Sequence, residues 1–116
     1  LGNEGIDAQV TISEETREIL RKLHNVVSIT AELAIDAVME NDQRAAQEVI
    51  AMKTDISRLM ESAAMHESRR LVAKEPNRLA AYTLEIDIIE KLKRIYYFSK
   101  RMAKAVAPEE VSENAA

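Results

Sequence analysis

The chain has no cysteine and no tryptophan, and its 116 residues include only two glycines, two prolines and four aromatics (Tyr82, Tyr96, Tyr97 and Phe98). Without cysteine there is no disulfide framework, no thiolate-ligated zinc and no thiol nucleophile. So few glycines and prolines leave too little turn material for a sandwich or barrel of many short strands. No apolar run approaches the roughly 18 residues of a membrane-spanning helix, and no signal peptide is evident. Positive charge is not in excess: 16 Lys and Arg stand against 20 Asp and Glu, a net charge of -4. That balance argues against binding duplex nucleic acid through phosphate contacts, so no nucleic-acid partner is expected. A Gly-rich phosphate loop and a Gly-x-Ser-x-Gly elbow are also missing, so no enzyme and no catalytic residue is expected. A catalytic reading would need a concave pocket lined by converging Arg or Lys, and most basic residues fall on outer faces. What is present is 47% apolar and 31% charged, in a length that fits one domain.

The apolar pattern predicts three long helices. Residues 1–12, with both glycines, read as a linker or arm. Thr11 with Glu14 forms a capping-box pattern, and Ser13 competes as N-cap. From there to about Glu40 the residues Leu20, Leu23, Val27, Ala31, Ala34 and Val38 mark one buried face. Asn41 suits a left-handed C-cap and Asp42 an N-cap. A second helix is expected to about Ala73, with Ala45, Val49, Met52, Ile56, Leu59, Ala63, His66 and Arg70 on its seam. Lys74-Glu75-Pro76-Asn77 should break it. A third helix follows from about Asn77 to Val106, its core face formed by Leu84, Ile88, Leu92, Ile95 and Met102. Residues 13–106 thus predict an all-α fold, an antiparallel up-down-up three-helix bundle. Residues 107–116 read as a disordered tail.

Heights along that bundle place the polar residues. Glu32, Asp36 and Glu40 should lie level with Lys100, Arg101 and Lys104 and form an ion-pair zipper. Arg69 and Arg70 should approach Glu85 and Asp87. His24, His66 and Glu85 fall near one level at 1.5 Å rise per residue. Glu85 sits about 50° and Asp87 about 110° from the centre of the third helix's expected core face. His24, His66, Glu85 and Asp87 are therefore candidate ligands for Zn²⁺ or Fe. The plainer reading is a hydrogen-bonded His66–Glu85 pair with His24 at its edge. No cofactor is otherwise expected.

The third helix carries more apolar residues than one core face needs. Leu79, Tyr82, Ile86, Ile89 and Tyr97 widen its apolar arc to about 200°, against roughly 100–160° for a bundle helix. They are candidate interface residues for a homodimer, a partner domain or a membrane-proximal surface. Shielding by residues of the N-terminal arm is the plainer alternative.

Two stretches carry a family resemblance. LHNVVSITAELAIDAVMENDQRAAQEVIAMKTDISRLMESA (23–63) resembles the first helical hairpin of PhoU-type domains. LEIDIIEKLKRIYYFSKRMAKAV (84–106) resembles the final PhoU helix, with Leu92-Lys93-Arg94-Ile95 in the place of its LERI core. The likeness covers about residues 13–106. It is nearest to the C-terminal domain of bacterial sodium/phosphate cotransporters. The resemblance implies a regulatory domain of a sodium-dependent phosphate transporter, on the cytoplasmic side of the inner membrane. Its expected partner is the transmembrane transport domain of the same polypeptide, with dimerisation through the third helix. The start at Leu1 would then reflect a domain of a longer protein, with residues 1–12 as the connecting linker. The alternative is a stand-alone PhoU-like, metal-binding regulator of phosphate signalling. The family's E/D-x-x-x-D metal motifs are not kept, however. Their matching positions here are Lys53 and Ser57, and Lys93 and Tyr97, so the metal cluster is not carried over.

Overall fold

The computed structural model describes residues 12–71 and 78–107. They form a helical bundle with no strand among them: α1 (Glu14–Glu40), α2 (Gln43–Ala51), α3 (Lys53–Leu71) and α4 (Arg78–Val106). At 1.5 Å per residue α1 and α4 are each about 40 Å long.

The ends of α1 follow from local chemistry. Ser13 is its N-cap, with the hydroxyl accepting the Thr16 N–H at 3.2 Å. Glu14 and Glu15 place negative charge in the first turn, where the helix dipole is positive. The competing cap, Thr11, lies outside the described residues. Asn41 closes the helix in the left-handed region (φ 53°, ψ 45°). The N–H of Asp42 then bonds back to the Ala37 carbonyl at 3.0 Å, the six-to-one bond of a Schellman end. Asp42 in turn caps α2, accepting the Ala45 N–H at 3.1 Å. Two residues therefore serve as stop and start.

The expected second helix is interrupted at Met52. The Val49 carbonyl takes the Met52 N–H at 3.2 Å and the Tyr96 hydroxyl at 3.3 Å. A side chain from α4 thus enters the backbone ladder, and the turn tightens there. The α-helical pattern resumes with Ile56 N–H to the Met52 carbonyl at 2.9 Å. No glycine or proline marks the spot, so nothing local predicts it. The expected break at residues 74–77 lies outside the described residues.

The core gathers Leu23, Val27, Ala34 and Ala37 of α1 with Ala46, Val49, Ile56 and Ala63 of α2 and α3. Against them α4 packs Ile89, Leu92, Tyr96 and Ala103. On α1 the buried set is Thr16, Leu20, Leu23, Val27, Thr30, Ala34 and Ala37, a four-three repeat that includes two threonines. Ala31 and Val38, expected inside, yield to Thr30 and Ala37. Thr30 satisfies its hydroxyl within the helix, donating to the Val26 carbonyl at 2.7 Å, and it lies 3.3 Å from Met52 Sδ.

The correction on α4 is larger. Its buried face is Ala81, Glu85, Ile89, Leu92, Tyr96, Ser99 and Ala103. That face is rotated by roughly 70° from the expected one, at 100° per residue. Leu84 and Ile95, expected inside, are 41% and 44% exposed. Small and polar residues (Ala81, Ser99, Glu85) hold the centre of the buried face, while larger apolar residues flank it on both sides.

Candidate functional site

The residues considered as metal ligands separate into different environments. His24 is exposed, its Nε2 3.3 Å from the Ser28 hydroxyl one turn away. Asp87 is exposed and paired with Lys91 at 2.9 Å. His66 and Glu85 are both buried but take different partners. His66 Nε2 lies 2.7 Å from the Thr16 hydroxyl, to which Ser13 donates at 2.9 Å. Its Nδ1 is 4.0 Å from Glu15. The helix cap of α1 is thus tied to the last turns of α3 through one buried imidazole. Among the described residues no group of three His, Cys, Asp or Glu side chains is placed to hold a metal ion.

Glu85 is directed instead at Glu67, one residue beyond His66. Glu67 and Glu85 are 2% and 0% exposed, among the most deeply buried large side chains. Burial, the hydrogen bond between the two side chains and the charge of Glu85 together push the Glu67 carboxyl up to about 8, and Arg70 works in the opposite direction. At neutral pH protonated Glu67 donates to Glu85, which avoids two adjacent buried anions. Sequence reasoning overlooked Glu67. Its signal was its place seven residues after Met60, in line with the seam of α3.

The expected charge zipper is absent among the described residues: Glu32, Asp36 and Glu40 are exposed, and none of them pairs with Lys100, Arg101 or Lys104. Lys100 and Arg101 lie instead over aromatic rings, 5.6 Å from the centre of Tyr96 and 5.8 Å from that of Tyr97. The rotation of α4 explains this, because it turns Lys100 toward α3.

That rotation also forms a groove between α3 and α4 of about 400 Å³. One wall is Lys53, Ser57, Glu61 and Ala64, over a floor of Ile56 and Met60; the other is Lys93, Tyr96, Tyr97 and Lys100. Each wall is a ladder at three- and four-residue spacing, as facing helices require. Desolvation, and the nearby ammoniums of Lys104 and Lys53, lower the Lys100 pKa from its usual value. The converging lysines that the outer-face reading did not anticipate are therefore present here.

The candidate interface residues also divide. Ile89 is 6% exposed and belongs to the core. Tyr82 and Ile86 are half-buried, while Leu79 and Tyr97 are exposed. They form the shoulder of α4 that borders α3. The opposite shoulder carries Leu84, Ile95 and Phe98, all exposed, with Ile88 and Met102 partly covered between them. No helix of the described residues is long and apolar enough to cross a membrane. No protein-family model, curated protein or solved structure matches the chain.

Proposed function

We propose that this chain is a non-enzymatic regulatory and interaction domain of a sodium-dependent phosphate transporter, involved in phosphate uptake or its control. The reading starts from the PhoU-like hairpin and final helix of the sequence. The observation that carries it is the apolar stripe on α4 in which Leu84, Ile95 and Phe98 are exposed among the described residues, beside the partly covered Ile88 and Met102. Three of these five residues are exposed large hydrophobics, aligned along one helix at the spacing of a packing ridge. A stripe of this kind is the mark of a docking surface and not of a solvated face.

In this reading the stripe docks on the transmembrane transport domain of the same polypeptide, at the cytoplasmic side of the inner membrane. Leu79, Tyr82 and Ile86, on the other shoulder, serve contact with a second copy. The helices run up-down-up. The partners across helices support this, since Thr16 meets His66 and Thr30 meets Met52, while Val49 meets Tyr96 and Glu67 meets Glu85. In both sets the partner's number falls as the chain advances, as antiparallel neighbours require.

Deleting residues 13–106 from the transporter tests the proposal. The transport path should survive while phosphate flux, or its response to phosphate supply, changes. Identical flux and identical response after deletion would refute it.

A further inference from the structure

We propose that the groove between α3 and α4 binds an organic phosphate, its anionic head between Lys53 and Lys100 and its apolar body along Met60 and Tyr97. The site lies on the shoulder of α4 away from the proposed docking stripe, and the inference is independent of that stripe.

Three observations carry it. The groove is a concave space of about 400 Å³, large enough for a small organic molecule. Its lining holds three ammonium groups, Lys53, Lys93 and Lys100, against the single carboxylate of Glu61. None of the three lysines forms an ion pair among the described residues, although exposed Arg21, Arg58 and Lys91 each have a carboxylate on the adjacent turn. Lys53 and Lys100 come from different helices and repel one another, with Lys104 adding to the repulsion. A dianionic group between them relieves that repulsion. An ammonium is a point-charge partner suited to phosphate.

The lining is otherwise mostly apolar. An inorganic ion would fill only the lysine end, whereas an alkyl or aryl body would also cover Ile56, Met60 and the face of Tyr97. The required chemistry is thus a phosphate ester with an apolar body. A free metabolite and a phospholipid headgroup both present it.

Phenyl phosphate titrated into the isotopically labelled full chain, followed by amide NMR shifts, is the direct test. Saturable shifts are expected in residues 53–64 and 93–100. Lys53→Gln with Lys100→Gln should weaken binding roughly tenfold or more, and inorganic phosphate should bind roughly fivefold more weakly than phenyl phosphate. The single variant Lys53→Gln, at an exposed position, should keep the helical circular dichroism and still lose affinity. Flotation with phosphatidic acid vesicles, against phosphatidylcholine vesicles, separates the two sources. Lysine-dependent binding of phenyl phosphate alone assigns a soluble ligand, and lysine-dependent binding to phosphatidic acid assigns a lipid headgroup. The proposal is overturned if neither probe binds at about 10 mM phosphate groups, or if binding survives in the double variant.

Discussion

Replacing Glu67 with glutamine isolates the buried acid pair from everything else in the bundle. The Glu67 carboxyl moves from 4.5 to about 8 on folding. The folded chain therefore keeps a proton that the unfolded chain has released over that window. For a raised pKa the stabilising contribution is complete below pH 4.5 and is lost as pH rises through about 8. At about 1.4 kcal/mol per pH unit the gap sets a ceiling of roughly 5 kcal/mol. Water entry into the site reduces the cost of ionising Glu67, so about 2–4 kcal/mol should be lost between pH 5 and pH 8.5. In Glu67→Gln the side chain does not ionise, and its amide still donates to Glu85. Urea unfolding at a series of pH values should show the decline in the native chain and less than about 1 kcal/mol of it in Glu67→Gln. Equal pH dependence in the two proteins would refute the reasoning. So would a native stability that rises with pH across this window.

Other perturbations read different parts of the bundle. Tyr96→Phe removes the hydroxyl that enters the ladder at Val49 and should cost about 0.5–1.5 kcal/mol in urea unfolding. Thr16→Val leaves buried His66 without its hydroxyl partner and should cost about 1–3 kcal/mol. Asp42→Ala removes the α2 cap and should cost about 1 kcal/mol, read as a lower thermal midpoint. Leu79→Glu with Ile86→Glu should lower the mass measured by light scattering; a native chain that is already monomeric at high concentration would remove the dimer reading.

Much of the fold is legible in the sequence because it rests on local signals. Ser13, Asn41 and Asp42 have capping chemistry that no distant contact overrides, and the scarcity of glycine and proline leaves long uninterrupted helices. The face of α4 is not legible in the same way, because several of its large apolar residues, Leu84, Ile95 and Phe98 among them, lie outside the core. Its true centre is built from Ala81, Glu85, Ser99 and Ala103, residues that a hydrophobicity pattern passes over. Ser99 donates to the Ile95 carbonyl at 2.8 Å, and Glu85 finds Glu67 only across the bundle. The break at Met52 has the same origin, since Tyr96 acts on Val49 from 47 residues away. The sequence pattern places His66 and Glu85 inside correctly, but their partners, Thr16 and Glu67, lie on other helices and carry no local signal. The groove follows from the rotation of α4, which is why its lysines read as an outer face in the sequence.

The proposed function stands most directly on the α4 stripe being covered in the intact transporter. These 116 residues contain no cysteine, so a single cysteine at Ile95 or Phe98 is the one thiol within them, and the transporter without either substitution supplies the background rate. Labelling of Ile95→Cys and Phe98→Cys by a polar maleimide should be at least about tenfold slower in the membrane-embedded protein than in the separate chain, with Arg58→Cys on α3 unchanged. Equal labelling rates for the stripe in both settings would contradict a docked α4 and the regulatory reading built on it.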